Sequence, residues 1–341
     1  MHMIGRGSRY GFALFTLSGL LLSGCGSEFD DASTDIERRE EPVIVCNQPD
    51  GCCDPAKYVK CQNFGKRTPN GYTVGVTTYI CRDTASSTTP SATCLVNPGD
   101  YAIGGGASAS AFAAAPTSSL PILGLNGGWT ATSAGILGPV THTLHTYAIG
   151  LQVVDSSFRS VNLGNDIHEY DFSANTGDPN RLGGTVRVPT GDLLIGGGWS
   201  AGGGAFAVDA YATGMSRGTW HVNGKQFRAG AARLNGVAIG ISLCLPAANP
   251  IFCFNHRDII EATSDDGTIV EGALADNTHE AQFVVGVGAI SSSWERPIGG
   301  LNPRGAGGFG SPSQYGEGYA YTVAPTGDLG HVTAQIMTMG F

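Results

Sequence analysis

"GDYAIGGGAS" at residues 99–108 returns as "GDLLIGGGWS" at 191–200, and the reading of those glycines decides the fold. A short apolar run feeding three glycines suggests a phosphate-binding loop, which needs a helix N-terminus directly after it and a Lys-Ser/Thr pair or a distal acidic residue for the nucleotide. Neither follows Gly104-Gly105-Gly106. Inside a strand the same glycines permit a bulge, sheet curvature or the close approach of a second backbone. The recurrence is then the stronger signal.

Three landmarks recur with one spacing. The glycine-rich strand end places Gly104, Gly196 and Gly286 at intervals of 92 and 90 residues. A glycine-then-aromatic phrase ends at Trp129, Trp220 and Phe309, at intervals of 91 and 89. An apolar strand broken by glycine, "YAIGLQ" and then "VAIGIS", places Gly150 and Gly240 90 residues apart, with an echo 90 further on at Gly330. These offsets predict three internal repeats of about 90 residues, at 62–155, 156–247 and 248–341. The third copy diverges most, reading "VVGVGA" where the others carry three glycines.

The apolar runs are short, rich in β-branched and aromatic residues, and bounded by Gly, Pro, Asn or Asp, as in "THTLHTYAIGLQVV", "GGTVRVP" and "NGVAIGISLCL". No long amphipathic helical pattern is present. The expected fold is all-β, built from β-prism-like or packed β-sandwich modules and stabilised by disulfides. In its threefold layout and its Gly-Gly-aromatic phrases the chain resembles the vitelline membrane outer layer proteins and the jacalin-like lectins. That resemblance implies three sheets around a common axis. The repeats here are longer than those of either family, and a jacalin sugar-binding signature is not evident.

Residues 1–24 carry Arg6 and Arg9, no acidic residue, and the apolar core "FALFTLSGLLL", the pattern of a signal peptide. Leu22-Ser23-Gly24-Cys25 resembles the lipobox of bacterial lipoproteins. The resemblance implies lipidation of Cys25, a membrane partner through the N-terminal lipid, and export to the cell envelope. Gly26 stands where an inner-membrane retention Asp would be, so the outer membrane or cell surface is the expected location. Residues 25–45, polar, acidic and without apolar periodicity, read as a flexible tether.

Removing Arg6 and Arg9 leaves 17 basic against 28 acidic residues, a net charge of −11 for the mature chain. Nucleic acid is therefore not an expected partner. Setting Cys25 aside leaves an even set of eight: Cys46, Cys52, Cys53, Cys61, Cys81, Cys94, Cys244 and Cys253. In an exported chain these are disulfide candidates rather than zinc ligands. Residues 46–61 form a Cys-rich segment, and Cys81 with Cys94 and Cys244 with Cys253 are the natural local closures.

Chemical motifs are sparse: there is no HExxH and no CxxC. No cofactor or metal site is expected. "NDIHEYD" is the richest polar stretch; on a strand His168 and Tyr170 would share one face, and Glu169 and Asp171 the other. That carboxylate pair could serve acid/base chemistry on a polysaccharide, or could simply solvate an exposed edge strand. "SDDGTIVEG", with Asp265, Asp266 and Glu271, reads as a turn. Trp129, Trp220 and Phe309 sit at equivalent repeat positions and are expected in the core, which leaves Trp199 and Trp294 as candidates for an exposed ligand platform. These features point first to a surface-anchored binding or structural module with a glycan or another envelope component as ligand. A polysaccharide hydrolase and a purely structural coat protein are the alternatives.

Overall fold

The glycines of the opening phrase lie inside strands and mark a local irregularity found three times. Tyr101–Ala109 pairs antiparallel with His142–Val154, and the register slips between Ala102 and Gly104. Asp192–Gly202 pairs with Arg233–Ser242 and slips between Leu194 and Gly196. Gln282–Ser291 pairs with Val332–Gly340 and slips between Val284 and Gly286. The three bulges touch. A Cβ on Gly104 would lie 2.2 Å from the carbonyl oxygen of Val285, one on Gly286 2.4 Å from that of Ile195, and one on Gly196 3.5 Å from that of Ile103. Each bulge glycine faces the residue preceding another bulge glycine, so a side chain at Gly104 or Gly286 would drive two strands apart.

This computed structural model describes residues 54, 56–81, 85–111, 113–175, 178–213, 218–246, 248, 250–254, 256–264, 270–276, 282–305, 316–323 and 330–340. Among them every regular element is a strand, so the all-β expectation holds. Cys25, the tether, Cys46, Cys52, Cys53, Asp265, Asp266 and Phe309 fall outside the described residues.

Each bulged strand belongs to a different sheet. The second sheet runs Ile167–Ser173, Arg233–Ser242, Asp192–Gly202, Ala114–Ile122, Gly128–Gly135, Ser91–Leu95. The third runs Leu182–Arg187, Thr219–Gln226, Ala205–Thr213, Gln282–Ser291, Val332–Gly340, His256–Thr263. The main path of the first is Tyr58–Arg67, Thr73–Cys81, His142–Val154, Tyr101–Ala109, Ile298–Gly305, Gly316–Val323, Val270–Asp276. Each of these three sheets thus joins stretches distant in sequence. The joints are brief: Gly300 with Ser108, Ala210 with Ala289, and Trp199 and Ser200 with Ser119 and Ser118.

Two tryptophans fill the space that glycines leave. Trp129 and Trp220 are fully buried, as the repeat spacing predicts. A Cβ on Gly105 would sit 2.5 Å from Cγ of Trp129, and one on Gly197 2.4 Å from Cε2 of Trp220. Trp129 donates its indole N–H to Ser119 Oγ at 2.8 Å, and Trp220 donates to the carbonyl of Gly198 at 3.3 Å. The indoles are therefore buried with their polar atoms satisfied.

Cys81 is bonded to Cys94 and Cys244 to Cys253, the two closures expected from local spacing. Cys61 is disulfide-bonded as well. One landmark needs correction. Strand register pairs Ala102 with Gly150 and Leu194 with Gly240, but Val284 with Thr338, so Thr338 and not Gly330 occupies the matching position. Gly330 precedes its strand and passes close to Ser292.

Candidate functional site

The repeated "GD" has a packing role. Gly99 and Gly191 take the left-handed conformation, at φ of 101° and 105°, and each is followed by an aspartate. Tyr79 donates its hydroxyl to Asp100 Oδ2, and Tyr170 donates to Asp192 Oδ2 at 2.6 Å. Both carboxylates lie over a glycine: a Cβ on Gly150 would be 2.7 Å from Asp100 Oδ2, and one on Gly240 3.1 Å from Asp192 Oδ2. The "GD" phrase and the glycine of "YAIG" or "VAIG" are therefore two halves of one contact. Burial pushes the Asp100 carboxyl up to about 6, against which the Tyr79 hydrogen bond acts. Tyr58 stacks near Tyr79, with ring centroids 4.9 Å apart, and burial followed by the Asp100 charge pushes its hydroxyl up to about 12.

Around Asp192 the contact is half open. His168 Nδ1 is 2.6 Å from Asp192 Oδ2, and its Nε2 is 3.0 Å from the carbonyl oxygen of Asn165. Both ring nitrogens face acceptors, which favours the doubly protonated imidazolium. The hydrogen bond to Asp192 is the leading cause of the raised His168 pKa.

The opposite face of the same strand carries the site. Ile167–Ser173 ends the second sheet, and Glu169, Asp171 and Ser173 project from it into solvent on one side. Asp171 is paired with Val237 and Ser173 with Asn235; one strand further in, Ser200 is paired with Asn235. Beyond that strand, across the brief joint, come Leu120 and Pro121. Together these side chains line an open groove of about 540 Å³. It crosses four strands, a width of about 14 Å at ordinary strand spacing.

The groove has an apolar patch from Leu120, Pro121 and Val237, neutral polar groups from Ser173, Ser200 and Asn235, and two carboxyls. Among the described residues that line it, none is cationic. Burial, then the charge and hydrogen bond of Asp171, holds the Glu169 carboxyl above its ordinary range. A glycosidase pair must flank the scissile bond with its carboxyls about 5 Å or more apart. Glu169 and Asp171 instead project side by side from one strand and touch each other.

Of the expected platform residues, Trp199 is corrected: it is fully buried beneath the sheet and offers no face to a ligand. Alternation explains this, because Ser200 takes the outward position and Trp199 the inward one. Trp294 is 39% exposed but does not line the groove. Glu169 and Asp171 do share a face and an edge strand, as the alternation predicts. Gly198-Trp199-Ser200-Ala201-Gly202 has the G-x-S-x-G form. A nucleophile elbow needs a strand-turn-helix context. Here Ser200 sits within a strand that leads into another strand, and no histidine lines its groove. Leu120, Pro121, Asn235 and Val237 carried no signal in sequence, because only the joining of distant strands makes them neighbours.

No cluster of three or more metal-ligating side chains occurs among the described residues, and none of their helices is long and apolar enough to cross a membrane. A scan against protein-family models finds no match, and a search of curated proteins finds none either.

Proposed function

We propose that this chain is an exported, lipid-anchored binding module of the cell envelope, and that the groove of the second sheet receives carbohydrate. The groove carries the reading. It joins an apolar patch able to take the C–H face of a sugar ring to hydroxyl, amide and carboxyl groups able to bond its hydroxyls, in an open channel wide enough for a chain. Cys25 supplies the anchor, and residues 26–45 lift the module off the membrane.

The scaffold, in this proposal, is a threefold repeat closed on one axis in a β-prism-like manner. Three register slips at Gly104, Gly196 and Gly286, and the cyclic order in which those glycines face the preceding residues Val285, Ile103 and Ile195, support it.

A glycan array probed with the mature chain tests the binding function. The expected result is retention of at least one polysaccharide class, with Asn235→Ala weakening it about tenfold or more. No retained glycan on a broad array would overturn the proposal. For the anchor, Cys25→Ser should move the protein from the membrane to the soluble fraction after cell lysis; continued membrane retention would refute lipidation as the attachment.

A further inference from the structure

Resting on the carbohydrate reading above, we propose that the groove selects sugars bearing protonated amino groups, a deacetylated amino-sugar chain, with one ammonium seated between Glu169 and Asp171. Two carboxyls face the same channel, in contact with each other, and among the described residues no Lys, Arg or His lines it. His168, the nearest imidazole in sequence, is turned to the other face of the strand and held by Asp192 and Asn165. The nearest basic residue along the neighbouring strand is Arg233, which lies past Asn235 and outside the lining set.

Burial and the neighbouring Asp171 charge both disfavour the ionised Glu169 carboxyl, and a cation seated between the two relieves the repulsion. A uronic acid or phosphorylated sugar would add to the repulsion. A neutral sugar would leave it in place. An ammonium with three donors relieves it, giving charge-assisted bonds to both carboxyls. Its ring lies over Leu120, Pro121 and Val237, while Ser173, Ser200 and Asn235 meet the remaining hydroxyls. The apolar patch and the neutral polar groups distinguish such a ring from a bare cation.

The test compares two probes that differ in N-acetylation and hence in charge: an oligomer of glucosamine and its fully N-acetylated counterpart of equal length, each titrated by calorimetry into the mature chain. A trilysine peptide is the control for charge alone. The glucosamine oligomer should bind ten- to a hundredfold more tightly than the acetylated one, and Glu169→Gln with Asp171→Asn should abolish that preference. Matching circular dichroism and melting curves would show that the double variant is folded. Equal affinity for both oligomers, unchanged by the double variant, overturns the selectivity while leaving carbohydrate binding intact. Trilysine bound as tightly as the glucosamine oligomer overturns the sugar component. If neither oligomer binds, the selectivity is overturned, and the broad array decides carbohydrate binding separately.

Discussion

Gly150→Ala should destabilise the protein, and removing the Asp100 side chain should undo part of the damage. The new Cβ would lie 2.7 Å from Asp100 Oδ2 and 3.1 Å from both Asp100 Cβ and Tyr79 Cε2. Replacing a strand glycine by alanine gains about 0.5–1 kcal/mol in conformational entropy. Overpacking a filled interior costs about 1–3 kcal/mol, and the Asp100–Tyr79 pair has little room to retreat because both residues are buried. The net expectation is a loss of about 2 kcal/mol, or roughly 4–8 °C in melting temperature at the sensitivity usual for larger domains. Gly240→Ala is the internal control. Its Cβ would be 3.1 Å from Asp192 Oδ2 and 3.1 Å from Tyr170 Cε2, a looser fit in which Tyr170, on the edge strand, has room to give, so its net effect should stay within about 1 kcal/mol of zero. Urea melts of Gly150→Ala, Asp100→Ala and the double variant close a double-mutant cycle. The coupling should be at least about 1 kcal/mol, the double variant being more stable than the two single losses imply. A Gly150→Ala protein as stable as the parent, or strictly additive losses, would refute the pairing of the "GD" phrase with this glycine.

Other expectations follow from the same geometry. Asp100 keeps its proton in the folded state up to about pH 6, while the unfolded chain releases it near 3.8, so stability should fall by roughly 3 kcal/mol as pH rises from about 4 to 6. Asp100→Asn should flatten that slope in urea melts taken across the range. His168 has a raised pKa, so its pairing with Asp192 contributes fully below the unfolded value near 6.5 and is lost as pH climbs through the folded one. With the side chain 38% exposed the effect should be under about 1 kcal/mol, and an NMR titration of its ring protons should show the upward shift. Gly105→Val must displace both the Trp129 ring and the Tyr147 carbonyl oxygen, each 2.5 Å from the new Cβ, and should cost at least about 3 kcal/mol in urea melts and depress the yield of folded protein. Opening the Cys81–Cys94 link, which closes 13 residues, with paired alanines should lower stability by about 3 kcal/mol.

How much of this was legible in the sequence depends on the range of the contact. Alternation on "NDIHEYD" correctly divides His168 and Tyr170 from Glu169 and Asp171, because the period of a strand is a local property. Local spacing likewise gives two disulfides. Burial of Trp129 and Trp220 follows from their matching positions. Trp199 fails for a related reason: lacking a counterpart at 91 residues says nothing about which side of its strand it takes. That side is set by the bulge at Gly196, which shifts the alternation by one residue beyond Leu194. The groove itself was out of reach, since Leu120 and Asn235 become neighbours only through a joint of two residue pairs.

Register-matched positions show where the chain departs from its own pattern. Tyr79 opposite Ala148 and Thr77 opposite Gly150 correspond to Tyr170 opposite Ala238 and His168 opposite Gly240. In the third sheet the same places hold Ile260 opposite Ile336 and Asp258 opposite Thr338. Tyrosine, aspartate and glycine are replaced together there, by Ile260, Gln282 and Thr338, as expected if the glycine exists to admit the carboxylate. Thr338 Oγ1 instead bonds the backbone of Asp258, accepting from its N–H and donating to its carbonyl, each at 3.2 Å. The outward positions depart further. Glu169 and Asp171 correspond to Thr78 and Ile80 in the first sheet, where Tyr58–Arg67 adds a strand beyond them, and to Ile259 and Glu261 in the third, where Glu261 accepts a hydrogen bond from Gln335. Among the described residues, only the second sheet puts two carboxyls on an uncapped edge beside an open joint. Packing demands are shared between sheets and therefore recur in sequence. In the proposed function the groove answers to a ligand, and its chemistry sits at outward positions where packing imposes no recurrence, so recurrence in the sequence marks the scaffold and passes over the site.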